Sequence, residues 1–293
     1  MPDFDLQAHS TCSDGTLSPA DVVAHAAAAG VRLLALTDHD TLEGVAVAVE
    51  AGVRHGVQVV PATEISALTG DGDDRHILGY RVDPGDPDLS AELADSRAER
   101  RLRAARMLTA FDELGLAVDE ATIDRIRRAG RPIGRPHLAA AVVRHPANQA
   151  RLAAEGCAEA TTFLEAYLVP GAPAYRDRGG PSIERSIELI HGAGGLAVWA
   201  HPFWEPGTEG QVMAALDRFV AWGLDGVEAF YTTHTPDQVR LLHARATELG
   251  LLITGSADFH GPDHARFNRF LAFDLHGLAP RLGEIDPQPS AIR

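Results

Sequence analysis

Histidines and carboxylates stand at the ends of short apolar runs along this chain. Gln7 and His9 follow the first run, and Asp14 lies in the loop after it. Asp38 and His39 follow the second run, and Glu64 follows the third. His76 leads into a further short run, and His201 ends the run from Leu196. Glu228 lies within the next, His234 just beyond it, and Asp258 and His260 follow the run from Leu251. Imidazole suits Zn, Fe and Mn, and carboxylates can bridge neighbouring ions, so such a set suits two or three divalent metals. A pair of ions can share a hydroxide and clamp a phosphoryl group. Taken singly, each residue has a plainer reading. Ser13-Asp14-Gly15 is a good turn sequence, Asp38 either caps the helix expected from Leu42 or orients His39, and Glu228 reads equally as a group supporting the ligands. The joint placement is what points to metal. His25, His55, His191, His243, His264 and His276 fall on helical patterns or near the end of the chain, and read as structural.

These side chains need elements to gather them. Ser18-Pro19 has the form of an N-cap followed by proline at N1, opening a helix that ends near Gly30. Arg32 to Leu36 reads as a buried strand, Leu42 to Gly56 as a helix, and Gln58 to Ala62 as the third strand. Such alternation implies a parallel sheet, open or closed. The pattern then breaks. From about Leu89 to Leu168 the periodicity is helical, with a long amphipathic helix over Arg97–Leu114 and a Gly-, Pro- and Arg-rich loop over Gly130–Pro136. Alternation resumes with helices over Ser182–Ala193, Gln211–Trp222 and Pro236–Leu249, and with strands over Leu196–Ala200, Gly226–Phe230 and Leu251–Thr254. In a closed barrel the strand ends meet at one face, where such enzymes place catalysis.

Composition narrows the chemistry. The 293 residues carry a net charge of −15, which disfavours duplex DNA and anionic membranes as partners. No run approaches the roughly 20 apolar residues of a membrane span. The first residues have no basic or apolar leader pattern and read as the start of a folded domain. All 26 basic residues are arginine, which excludes Schiff-base chemistry and a P-loop lysine. From Ser96 to Arg151, 12 arginines face six acidic residues, a candidate anion-binding stretch in an acidic chain that also reads as a solvated helical surface. The two cysteines, Cys12 and Cys157, read as free thiols of a cytoplasmic protein.

Asp5-Leu6-Gln7-Ala8-His9-Ser10, Ser13-Asp14-Gly15, Leu36-Thr37-Asp38-His39-Asp40, Glu64-Ile65, Ala200-His201-Pro202 and Gly255-Ser256-Ala257-Asp258-Phe259-His260 resemble the motifs of the PHP (polymerase and histidinol phosphatase) family, in order and spacing. The resemblance runs over roughly Met1 to Phe273 and is strongest to small phosphoesterases that act on nucleotides. That branch carries a helical insertion with a Gly-Arg-Pro-His sequence, matched here by Gly134-Arg135-Pro136-His137. The resemblance implies an α/β fold, a distorted (β/α)7 barrel with a helical insertion. The expected division is barrel over 1–88 and 169–280, a substrate-capping insertion over 89–168 and a flexible tail over 281–293. It implies one metal at His9, Glu64 and Asp258 with position 7 completing the set. A second would lie at Glu64, His76 and His201, and a third at Asp14, His39 and His260. Arg135 and His137 would bind the substrate phosphate, and His234 and Asp38 stand as catalytic candidates, with either His234 or His137 as proton donor to the leaving group. One position departs from the family: Gln7 stands where the family has histidine. A Gln oxygen is a weaker metal donor than imidazole, and Gln7 can instead hydrogen-bond to water or phosphate.

The implied activity is hydrolysis of phosphate esters of nucleotides, as a nucleoside 3′,5′-bisphosphate phosphatase or a 5′-3′ exoribonuclease on short RNA, with two or three Mn, Fe or Zn ions. Two other readings compete. An amidohydrolase uses similar metal sets, often with a carboxylated lysine, which this chain lacks. A degenerate PHP domain kept for binding or scaffolding is favoured only by Gln7. Phe203 and Trp204, after His201, read either as packing residues or as a surface on which a base stacks.

Overall fold

The computed structural model describes residues 2–69, 74–128, 133–204 and 207–286. In chain order its first elements are β1 (Phe4–Asp5), α1 (Pro19–Ala28), β2 (Leu33–Leu36), α2 (Val45–His55), β3 (Gln58–Leu68) and β4 (Asp74–Tyr80). Helices α3 (Pro87–Glu113), α4 (Glu120–Arg128), α5 (Arg135–Val143), α6 (Gln149–Ala154) and α7 (Ala160–Tyr167) follow. The chain continues with α8 (Ile183–Gly192), β5 (Leu196–Trp199), α9 (Glu209–Ala221), β6 (Gly226–Tyr231), α10 (Pro236–Leu249) and β7 (Leu252–Ser256).

Several boundaries follow from local chemistry. The Ser18 hydroxyl accepts the Asp21 N–H with Pro19 at the first position of α1, as the sequence requires. Thr235 and Gln238 form a capping box at the start of α10, and Gly250 ends that helix in the left-handed conformation. The strands order as β1-β2-β3-β4-β5-β6-β7. The seam between β1 and β7 is closed by a parallel bridge between Ala8 and Phe259 and by the Leu6 N–H donated to the Gly255 carbonyl at 3.2 Å. Asp5 strengthens that seam by accepting the N–H groups of Ala257 at 2.9 Å and Leu271 at 2.8 Å.

The parallel sheet expected from the sequence holds for β1-β2-β3 and β5-β6-β7, but β4 runs antiparallel to both its neighbours. The cause is the connection: β3 extends to Leu68 and β4 starts at Asp74, too close for the dozen or more residues a parallel crossover needs. Glu64 consequently lies within β3, not after it, and His76 lies within β4.

The chain divides into two compact units, residues 1–94 with 181–293, and Asp95–Gly180. The division falls inside α3, and both bounds lie later than the 89–168 read from the sequence. The barrel unit has an apolar interior of strand and helix residues such as Leu6, Leu33, Ile65, Trp199, Ile187 and Phe230. The helical unit has its own core around Met107, Phe111, Leu138 and Phe163, with the Phe163 and Tyr167 rings stacked at 4.6 Å. Arg135 and Pro136, read as the end of a loop, open α5 behind the Gly134 cap, while residues 130–132 of that loop lie outside the described residues. Arg281 to Asp286, assigned to a flexible tail, are held on the barrel. Arg281 and Ile253 exchange backbone hydrogen bonds, Ile285 is buried, and Asp286 pairs with Arg32 at 2.8 Å. Residues 287–293 of the tail lie outside the described residues.

Candidate metal centre

Glu64 is the centre of the polar cluster. The ladder beside β4 and the His39–Glu64 bridge fix its backbone, and its side chain is fully buried. Its Oε1 lies 2.6 Å from His76 Nδ1 and 3.2 Å from His201 Nε2. Its Oε2 lies 3.1 Å from His9 Nε2 and 3.6 Å from His39 Nδ1. Both carboxylate oxygens therefore face imidazoles, on two sides. Burial alone would raise the Glu64 pKa, but His39, His76 and His201 together hold it well below the carboxylate range.

Asp14 reaches the same place from the loop after β1. That loop folds back so tightly that a Cβ on Gly15 would lie 2.2 Å from the His9 carbonyl oxygen, a close approach only glycine permits. Asp38 holds the loop. Its carboxylate accepts the Ser10 N–H at 2.7 Å, the Ser10 hydroxyl at 2.6 Å and the Ser13 hydroxyl at 2.6 Å. With both oxygens so engaged, Asp38 positions the Asp14 turn. It does not cap α2, whose N-cap is Gly44, and its hydrogen bonds go to Ser10 and Ser13, not to His39. The carboxylate of Asp14 stands 3.6 Å from His9, 3.6 Å from His39 and 3.5 Å from His260.

Asp258 and His201 lie at the ends of β7 and β5 with left-handed backbones, φ 55 and φ 32. Such conformations are uncommon outside glycine and cost of order 1 kcal/mol each, a strain that gathers at functional sites. Asp258 Oδ1 is 3.1 Å from His9 Nε2, while the Tyr231 hydroxyl donates to Oδ2 at 2.7 Å. Burial would raise Asp258, but His260 and His9 bring it down to about 2. His260 donates Nδ1–H to the Asp258 carbonyl at 2.7 Å, which leaves Nε2 toward Asp14.

The donor set fits divalent cations. His9 Nδ1 and Nε2, His39 Nδ1 and Asp258 Oδ1 are buried and make no well-aligned hydrogen bond. Yet His9 Nε2 and Asp258 Oδ1 lie 3.1 Å apart. Polar atoms that crowd together without bonding one another are what a ligand set around a third atom presents. Among the described residues, His9, Asp14, His39 and His260 form one group with metal-ligand proximity, and His39, Glu64 and His76 form another. His39 belongs to both groups, and His9, which the resemblance places with Glu64 and Asp258, also joins the Asp14 group.

Gln7 reaches the cluster differently from the oxygen ligand expected at that position. Its amide Nε2 donates to Glu64 Oε2 at 2.8 Å, and its Oε1 accepts from the Ser256 hydroxyl at 3.3 Å. His234 donates Nδ1–H to the Ala229 carbonyl at 3.0 Å, and its Nε2 is buried without a hydrogen-bond partner. Burial lowers its pKa to about 4, so the ring is neutral. Arg135 and His137 belong to the helical unit. There Arg135 Nη1 donates to the Leu168 carbonyl at 3.4 Å, and His137 Nδ1 accepts the Gly134 N–H at 3.1 Å.

A family model described as the PHP domain matches residues 5–156. The chain is 35% identical over 266 residues to a 3′,5′-nucleoside bisphosphate phosphatase of Chromobacterium violaceum, across 89% of this chain and 88% of that protein. The chain belongs to the PHP family. It is also 34% identical over 261 residues to a 5′-3′ exoribonuclease of Haemophilus influenzae, across 88% of this chain and 90% of the other. A solved structure described as an amidohydrolase from Chromobacterium violaceum, with bound sulfate and no metal, matches with a TM-score of 0.81 at 31% identity, covering 98% of this chain and 96% of that one. The barrel of this PHP chain includes partners that sequence reasoning missed. Tyr231 fixes Asp258, and Ser256 donates to Glu228 at 2.6 Å. Glu228 in turn accepts the His201 N–H at 2.9 Å. Tyr231 and Ser256 are the last residues of β6 and β7, just past the strand patterns read from the sequence, and neither is of a residue type that marks a metal ligand.

Proposed function

We propose that this PHP chain is a metal-dependent phosphoesterase that hydrolyses phosphate esters of nucleotides, as a 3′,5′-bisphosphate phosphatase or a 5′-3′ exoribonuclease on short RNA. The observation that carries the reading is Glu64, whose two oxygens face His76 with His201 and His9 with His39. A carboxylate shared in this way suits a bridge between two ions. Divalent ions held there, Mn, Fe or Zn, would supply a nucleophilic hydroxide at neutral pH and neutralise phosphoryl charge. His9, Asp14, His39, Glu64, His76, His201, Asp258 and His260 would hold two or three of them. Gln7 stands outside the ligand set in this reading and steadies Glu64 through its amide N–H.

The protein's other groups take simpler roles. Arg135, with a planar fork suited to phosphate, and His137 bind the substrate phosphate, a role supported by the Gly134–His137 sequence. His137 Nδ1 accepts the Gly134 N–H, so in the neutral ring Nε2 carries the hydrogen, a hydrogen-bond donor suited to a phosphate oxygen and not an acid for the leaving group. His234, neutral and with Nε2 an acceptor, suits holding a substrate or water hydroxyl better than giving up a proton at neutral pH. The partners are small phosphorylated substrates in a cytoplasmic setting. Among the described residues no helix is long and apolar enough to cross a membrane, and both cysteines are free thiols.

Two assays test the reading together: metal content by elemental analysis, and phosphate release from adenosine 3′,5′-bisphosphate and a 5′-phosphorylated RNA tetramer. An amide panel run beside them covers the amidohydrolase alternative, which the description of the similar solved structure keeps in view. Two or three ions per chain with phosphate release is the expected result. Turnover of amides alone, or no turnover by metal-loaded protein, would overturn it.

A further inference from the structure

Trp204 is a feature of the barrel unit that the reading above leaves unused. It is 42% exposed, whereas Trp199 on the same segment is 2% exposed. Phe203 packs against the barrel core and stands edge-on to His234 at 5.6 Å, so it is a packing residue. Trp204 is exposed yet held in place. Its backbone N–H is donated to the His201 carbonyl at 2.9 Å, across the turn in which His201 adopts its left-handed φ. Its ring meets Phe267 at 5.6 Å and Tyr231 at 6.5 Å, and the Arg266 guanidinium lies 5.6 Å from the ring centroid. An indole fixed on its framework and open to water is a ready stacking surface, and the adjoining cation adds attraction for an anionic ligand.

The location gives the surface its meaning. Trp204 lines an open cleft together with His76, His201 and Pro202. His76 and His201 are the two imidazoles at Glu64 Oε1. One cleft therefore carries both candidate metal ligands and an exposed aromatic face.

We propose that Trp204, with Arg266 over its ring, forms a nucleobase subsite: the purine or pyrimidine of the substrate stacks on the indole face that Arg266 leaves open while its phosphate lies by His76 and His201. The subsite rests on the nucleotide reading above. Stacking on an aromatic side chain tolerates any base, because every base has a π-face, so the subsite selects for the presence of a base and not for its identity.

The test uses metal-loaded full-length protein, wild type, Trp204→Ala and Trp204→Phe. It compares kcat/KM on adenosine 3′,5′-bisphosphate with that on ribose 3,5-bisphosphate, and calorimetric affinity for AMP with that for ribose 5-phosphate. Wild type should prefer the base-bearing member of each pair. Trp204→Ala should cut that preference by about tenfold or more, and Trp204→Phe should keep most of it. No preference in wild type, or equal losses on both members in Trp204→Ala, overturns the subsite. Absence of phosphate release from either substrate would overturn the phosphoesterase reading instead, and the calorimetric preference then judges the subsite by itself.

Discussion

Two sets of carboxyls, buried except for the partly exposed Asp14, sit in the same barrel and are driven in opposite directions. Glu64, Asp14 and Asp258 face imidazoles, which outweigh the cost of burial and hold them ionised. Asp5 and Glu228 are buried among backbone N–H groups and a hydroxyl. For them burial dominates, raising Asp5 to about 7 and Glu228 well above the carboxylate range. The residue types are alike, and the partners decide the charge. The first set is arranged to meet a cation, and the second ties strands together.

Altering each set should separate the two roles. The largest effect is expected at Glu64: Glu64→Gln removes the charge shared by both sides and should lower phosphate release by about a thousandfold, roughly 4 kcal/mol. Elemental analysis of the variant should show loss of bound metal, and full metal content would contradict the bridging role.

Asp5 comes next, read through pH. Its folded pKa is raised above the unfolded value, so its contribution is complete below about 4 and is lost as pH rises through about 7. In the metal-free protein, wild type should therefore lose a few kcal/mol relative to Asp5→Asn between those limits, with no further change above. Urea unfolding at a series of pH values reads the slope, and parallel curves would mean that Asp5 stays ionised.

Tyr231→Phe should weaken metal binding about ten- to hundredfold, the usual range for losing a hydrogen bond that orients a ligand. Competition with a fluorescent chelator measures this, and unchanged affinity would place Asp258 outside the ligand set. The smallest change is expected for Glu228→Gln. A neutral amide can still accept the His201 N–H and meet Ser256, so stability should shift by less than about 1 kcal/mol. Glu228→Ala, which leaves the His201 N–H unpaired, should cost about 2 kcal/mol. A large loss in Glu228→Gln would show that Glu228 is ionised and belongs with the first set.

Much of this centre was legible because its residues lie near strand ends, where a change from apolar to polar is visible in one dimension. His9, His39, His201, Asp258 and His260 were found in this way, and the structure brings them together. The reversal of β4 was not legible, because a short link between two strand patterns is a matter of connection length and not of the period within each strand. Asp38 looked like a catalytic or capping group, and became the anchor of the Ser10–Gly15 turn once three donors converged on it.

The sequence by itself determined the element types, the capped helix starts, the absence of lysine chemistry and the imidazole–carboxylate character of the site, since these depend on residue type and local period. Tertiary structure decided what each group does there. Gln7 donates to Glu64 across 57 residues and accepts from Ser256 across 249. Tyr231 grips one oxygen of Asp258 and leaves the other to His9. Such pairings, and the charge states that follow from them, depend on which strands are neighbours and how far each side chain is removed from water, and neither distance exists before the barrel closes.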